Sequence, residues 1–121
     1  MPSRDPAITK AYAEYKKLMP NECPFCELGN REVINEYKNF NILRALFPYI
    51  EWDSRHVVDH LMILPKKHCE IFDDFTRDES EELMHIMTEY ESRGYSIYAR
   101  APQDTTRSVK HQHTHLILLE R

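Results

Sequence analysis

The first apolar pattern along the chain has the period of a helix. Asp5 and Pro6 suit an N-cap and a first helical position, and Pro20 is placed to end the helix. Between them, apolar residues recur at helical spacing: Ile8, Tyr12, Tyr15 and Met19. The pattern therefore predicts a helix over residues 5–19.

Shorter apolar runs then indicate strands, with one further helix among them. The predicted strands cover residues 33–37, 40–47, 57–64, 95–101 and 109–119. Residues 48–56 are predicted as a loop. Asp78 and Glu81 form the pattern of a capping box, an apolar helical stripe follows, and Gly94 is a natural helix stop. This order predicts an α+β domain with a five-stranded, mainly antiparallel sheet, its main helix after strand three and an extra N-terminal helix.

Length and charge narrow the functional classes. With 121 residues, the chain can build one core and is too short for two ordinary domains. Its 16 Lys and Arg against 20 Asp and Glu give a net charge of −4, which argues against nucleic acid as a partner. No apolar run suits a membrane span, and residues 1–10 lack the apolar core of a signal peptide. We therefore expect a cytoplasmic protein with no membrane partner and no disulfide framework.

Three histidines occupy alternating positions in the last predicted strand: His111, His113 and His115. Alternate side chains of a strand point to one face, so an extended backbone would bring the three imidazoles to one surface. Such a surface suits a catalytic zinc or iron with an open position, or nucleophilic catalysis. It can also have no role. The spacing alone leaves these alternatives open.

Cys23 and Cys26 have the Cys-x-x-Cys spacing that places two thiolates on one zinc. His68 and one of the strand histidines are candidates to complete a tetrahedral site. The alternatives are two buried thiols or a redox pair, although a redox pair is expected beside a strand-to-helix unit and no helix follows here. Cys69 is expected to be a buried apolar thiol.

Four motifs, in order, resemble the histidine triad (HIT) superfamily of nucleotide hydrolases and transferases. HQHTHLI at 111–117 is similar to its His-x-His-x-His signature, and a Ser-Val pair precedes it as in that family. HLMILPKKH at 60–68 resembles its strand and Pro-Lys-x-His turn, and CPFCEL the cysteine knuckle of zinc-containing members. The resemblance implies a HIT-like domain over 21–121, preceded by an N-terminal helical extension over 1–20.

The resemblance also implies which residues are catalytic. His113 would attack an α-phosphorus and carry the nucleotidyl group, while His115 and Ser108 would donate hydrogen bonds to the phosphate oxygens. His60 matches a histidine that supports the pocket. The implied activity is hydrolysis of a nucleoside phosphoramidate or a similarly simple nucleotide. The alternatives are a nucleotidyltransferase and a zinc-stabilised module that binds nucleotides without turnover.

A cofactor and a quaternary state are implied in the same way. In zinc-containing members, the first triad histidine and the histidine of the Pro-Lys-x-His turn join the two cysteines. The implied ligands of one structural zinc per chain are Cys23, Cys26, His68 and His111. Family members commonly pair, so a homodimer is expected.

Other residues are candidates for holding the nucleotide. Trp52 and Asp53 would stack on the base and contact the ribose, since the family uses an acidic residue near this point. Arg107 stands where many hydrolases of the family have Gln, and its forked guanidinium would add phosphate affinity. Gln112 and Thr114 replace apolar residues of the family signature, so the back of this strand is expected to be wetter or covered by the first helix.

Overall fold

Two helices and six strands make up the part of the chain that the structure describes. The computed structural model describes residues 3–18, 23–29, 31–107 and 109–121. The elements are α1 (Pro6–Leu18), β1 (Val33–Glu36), β2 (Phe40–Arg44), β3 (Glu51–Trp52), β4 (Arg55–Pro65), α2 (Arg77–Ser92), β5 (Ser96–Tyr98) and β6 (Thr114–Leu119). In these ranges, neither helix has the length and apolar character needed to cross a membrane.

The sheet is antiparallel throughout. Its strand order is β1-β2-β4-β6-β5, and β3 pairs with β4 beside this path. The predicted α+β class, the antiparallel sheet and the position of the main helix are confirmed. The sheet holds six strands, one more than predicted, and the additional strand is the two-residue β3.

The central strand β4 divides the sheet into two faces. Leu61 and Ile63 pack with Ile86 of α2 in the main core. Because side chains alternate along a strand, His60 and Met62 point to the opposite face, called the site face below. His115 pairs with Met62 across the β4–β6 ladder and therefore shares the site face.

The additional strand arises from a hairpin in the segment predicted as a loop, residues 48–56. Asp53 and Ser54 form its two-residue turn with φ values of 53° and 60°, and Trp52 pairs with Arg55 across it. Both turn positions need the left-handed region, which hairpin sequences usually mark with glycine. Aspartate tolerates that region without a glycine signal. As a result, β4 begins at Arg55 rather than at residue 57.

The main helix begins two residues before its predicted start. Thr76 is the N-cap: its hydroxyl oxygen accepts from the Glu79 N–H at 3.2 Å, and the Glu79 carboxylate accepts from the Thr76 N–H at 2.7 Å. The capping box is therefore Thr76–Glu79. The predicted cap, Asp78, instead accepts a hydrogen bond from Lys38 at 3.1 Å. At the first helix, the Asp5 cap is confirmed by its bond from the Ala7 N–H.

The last strand is shorter than predicted, because β6 begins at Thr114 and not at residue 109. Its ladder with β4 ends at the Ile63–Thr114 pair, close to Pro65, which has no N–H to donate. The N–H of Gln112 donates to the Cys69 carbonyl at 2.6 Å instead. Gln112 and Thr114 are not wetter than the rest of the strand: both are buried, and the Gln112 amide donates to the Thr114 hydroxyl.

Candidate functional site

A cavity of about 580 Å³ lies on the site face. It is lined by His113 and His115 and, on another side, by Trp52 and Asp53 of the β3–β4 hairpin. The structure therefore brings four of the predicted site residues together around one space. Residues that far apart in the sequence meet because β6 lies beside β4, which continues the hairpin.

His113 is held in one tautomer. Its Nδ1 lies 2.9 Å from the carbonyl oxygen of His111. Because a carbonyl can only accept, Nδ1 carries the hydrogen and Nε2 keeps its lone pair. Burial lowers the pKa of His113 to about 4, so its imidazole is neutral at pH 7. A neutral imidazole with a free lone pair can act as a nucleophile.

A chain of hydrogen bonds fixes the tautomers of His60 and His115. The backbone N–H of Tyr49 donates to His60 Nδ1 at 3.1 Å, so the hydrogen of His60 sits on Nε2. That Nε2–H donates to His115 Nδ1 at 2.9 Å. His115 therefore carries its own hydrogen on Nε2. It can donate this hydrogen to a group in the cavity that it lines.

The buried pair predicts a loss of stability in acid. His60 has an ordinary pKa of 6.5 when exposed, and burial lowers its pKa in the folded chain to about 3. Below pH 6.5, the unfolded chain therefore binds a proton that the folded chain excludes. The free energy of unfolding then falls by about 1.4 kcal/mol per pH unit for this residue. Denaturant titrations between about pH 7 and pH 4.5 measure the slope.

The variant His60→Gln is the control for this effect, because glutamine does not titrate. Its unfolding free energy should depend less steeply on pH than that of the wild type, by about one proton. Equal slopes for the two proteins would show that His60 is not a neutral buried histidine.

Four ligand atoms form a cluster that can bind a metal: those of Cys23, Cys26, His68 and His111, all within 4.8 Å of one another. His111 Nε2 donates to the Pro65 carbonyl at 3.0 Å, so its Nδ1 carries a lone pair. This Nδ1 lies 3.4 Å and 3.5 Å from the two sulfurs and 3.2 Å from His68 Nδ1. One lone pair cannot serve three hydrogen bonds.

A cation at the centre of the cluster accounts for these spacings. Tetrahedral bonds of about 2.0 Å to nitrogen and 2.3 Å to sulfur place ligand atoms roughly 3.3–3.6 Å apart. The cluster distances, 3.1–3.5 Å, match this arrangement. The three triad imidazoles do not form such a group, because Nδ1 of His113 and of His115 are bonded elsewhere.

The metal cluster and the cavity are joined through two contacts. The carbonyl of His111 accepts the hydrogen bond that orients His113. Phe25, between the two cysteines, lines the cavity and lies edge-on to the His113 ring at 5.0 Å. Binding of a metal at the cysteine knuckle would therefore fix the surroundings of His113.

Two predicted residues are not placed in the cavity wall. Ser108 lies outside the described residues. Arg107 donates a hydrogen bond to the carbonyl of Glu70 and does not line the cavity.

Sequence reasoning missed two arginines and a tyrosine in the wall. Arg4 and Arg100 both line the cavity, and Tyr49 lies between them. Arg100 donates to the Tyr49 hydroxyl at 2.9 Å, and the guanidinium of Arg4 lies 4.3 Å from the centre of the Tyr49 ring. No local pattern links these three positions. The available signal was weak: an arginine at the end of a predicted strand close to the triad.

No family model and no curated protein matches the chain. Solved structures do match it. A HIT family hydrolase from Legionella pneumophila Philadelphia 1 is 27% identical, with a TM-score of 0.61 over 83% of this chain and 94% of that one. A histidine triad protein from Clostridium difficile is 21% identical, with a TM-score of 0.61 over 82% and 90%. A HIT family hydrolase from Clostridium thermocellum is 18% identical, with a TM-score of 0.62 over 84% and 92%. The chain shares the fold of these proteins.

Proposed function

Because this chain is a histidine triad superfamily protein, we propose that it is a nucleotide hydrolase in which His113 attacks an α-phosphate. One observation carries the proposal. His113 lines the cavity as a neutral imidazole, with its Nδ1 hydrogen on the His111 carbonyl and its Nε2 lone pair available. The proposed substrate is a nucleoside phosphoramidate or a similarly simple nucleotide.

The reaction would proceed in two displacements. His113 Nε2 attacks the phosphorus, the bond from phosphorus to the leaving amine breaks, and the amine departs with the bonding pair and a proton from solvent. Water then attacks the nucleotidyl-histidine, the P–N bond to His113 breaks, and its electron pair returns to Nε2. The proton of the water goes to solvent. The sum is phosphoramidate plus water giving nucleoside monophosphate plus amine.

His115 would stabilise the charge that develops on the phosphate oxygens. Its Nε2–H is the free end of the hydrogen-bond chain from Tyr49 through His60. A donor fixed before the reaction lowers the barrier without reorganisation. We assign His60 the task of holding this tautomer. Ser108 is proposed as a second donor to the same oxygens.

The nucleoside would lie toward the β3–β4 hairpin. Trp52 offers a ring in the cavity wall and packs against Tyr49 and Tyr98 at centroid distances of 5.7 Å and 5.0 Å. Asp53 offers a carboxylate for the ribose hydroxyls. Arg107 stays a proposed phosphate contact, although reaching the cavity would require it to leave the Glu70 carbonyl.

We propose zinc as the metal of the Cys/His cluster, since two thiolates and two imidazoles in a closed tetrahedron suit it. Bound zinc would be structural, because four protein ligands leave no open position for a substrate. The chain's contribution is the orientation of His113 through the His111 carbonyl. We also propose a cytoplasmic homodimer, and the three free thiols suit a reducing compartment.

The experiment that tests the function is incubation of the protein with adenosine 5′-phosphoramidate, followed by separation of the products. A hydrolase releases AMP and ammonia. A transferase diverts the adenylyl group to an added amine or phosphate acceptor. Bound nucleotide with no product would contradict the proposal and point to a binding module.

A further inference from the structure

Arg4 places a cation in the cavity from outside the triad motifs. It is half-buried, and its Nε–H donates to the Phe47 carbonyl at 2.7 Å. Its guanidinium stacks on two rings, 4.3 Å from the centre of Tyr49 and 5.2 Å from that of Tyr12. These contacts fix the side chain without neutralising it.

The backbone around Arg4 is held on the hairpin end of the cavity. The Ser3 N–H donates to the Glu51 carbonyl at 2.9 Å, and the Ile50 N–H donates to the Ser3 carbonyl at 2.7 Å. Asp5 then caps α1. The N-terminal segment is thus an added edge on β3, next to Trp52, and Arg4 is a built part of the cavity wall.

The two cavity arginines differ in charge balance. Arg100 has a carboxylate partner, Asp104, at 3.4 Å and also donates to the Thr106 hydroxyl. Within the described ranges, no carboxylate lies within 4.0 Å of Arg4. Asp53 is the other acidic residue of the wall and forms no ion pair with Arg4 among these residues. A fixed, half-buried and unneutralised guanidinium favours an anion from the ligand.

The two arginines also face different histidines. The low pKa of His113 is caused first by burial and then in part by the positive charge of Arg100, whereas the positive charge of Arg4 contributes at His60. Arg100 therefore lies toward the nucleophile, and Arg4 lies toward the hairpin side. The phosphorus under attack must lie at His113, so Arg4 meets a different part of the nucleotide.

We propose that Arg4 is a specificity-determining residue that binds a second phosphate of the nucleotide, away from the phosphorus that His113 attacks. This inference rests on the proposed binding of a nucleotide in this cavity. The second phosphate has two sources: the ribose of the nucleoside, or the leaving group. The position of Arg4 beside the hairpin favours the ribose.

The test is nucleotide binding in the His113→Ala variant, which cannot turn the ligand over. Trp52 is the single tryptophan and lines the cavity, so its fluorescence reports binding. The ligands are AMP, adenosine 3′,5′-bisphosphate and ADP. We expect the 3′,5′-bisphosphate to bind about tenfold more tightly than AMP, a gain typical of one charge-assisted contact. Adding Arg4→Ala should remove this gain and leave AMP affinity nearly unchanged.

The matched control is Arg77→Ala, an exposed arginine on α2 that pairs only with Glu81 among the described residues. It should keep the gain. A gain for ADP alone would place the second phosphate on the leaving group. The inference is overturned if neither ligand exceeds AMP, if no nucleotide binds, or if the gain survives Arg4→Ala. Loss of turnover in the wild type would contradict the proposed function alone, because this test needs no reaction.

Discussion

Replacing His113 with alanine is expected to reduce turnover of adenosine 5′-phosphoramidate by about 10³-fold or more, since the variant lacks the nucleophile on which both displacements depend. The fold should survive, because His113 makes one hydrogen bond to a neighbouring carbonyl and lies at the cavity wall rather than in the main core. Steady-state rates with matched thermal melts measure both effects. Nucleotide affinity should change far less than the rate.

His85→Ala is the control for this variant. His85 is an exposed histidine on α2, across the sheet from the cavity, and its loss should leave the rate unchanged. If His113→Ala keeps the wild-type rate while melting normally, another group attacks the substrate and the proposed mechanism is wrong.

Replacing both Cys23 and Cys26 with serine is expected to remove the metal and lower the melting temperature by about 10 °C or more. The wild type, purified without added zinc, should contain about one equivalent per chain. The physical reason is that four ligands from separated parts of the chain meet only at this cluster. Metal analysis and thermal melts measure the two effects. Turnover should fall as well, because the His111 carbonyl orients His113.

Cys69→Ala provides the matched control. Cys69 is buried beside His68, and its sulfur is not part of the ligand cluster. This variant should keep the full metal content and lose little stability. Equal metal content in the double variant and the wild type would show that the knuckle is ordinary packing.

The sequence predicted those elements whose period is set by burial on one face. The apolar stripe of α2 and the run of β4 are read directly, because Ile86, Leu61 and Ile63 form the core that the pattern requires. The β3–β4 hairpin was not predicted, since Asp53 and Ser54 adopt positive φ without a glycine. Such turns depend on the pairing of their flanking strands more than on a local signal.

The site divides in the same way. Motif spacing predicted the four metal-cluster residues and the cavity positions of His113 and His115. It did not predict Arg4 or Tyr49. Their contact joins residues far apart in the sequence through backbone pairing of Ser3 with β3, and no periodicity records such a pairing.

The most direct test of the account is intact mass of the wild type after rapid quenching from adenosine 5′-phosphoramidate, with peptide mapping of any adduct. The account predicts a mass increase of one adenylyl group, carried on His113 and absent from His113→Ala. Turnover without any adduct, or an adduct on another residue, would contradict it.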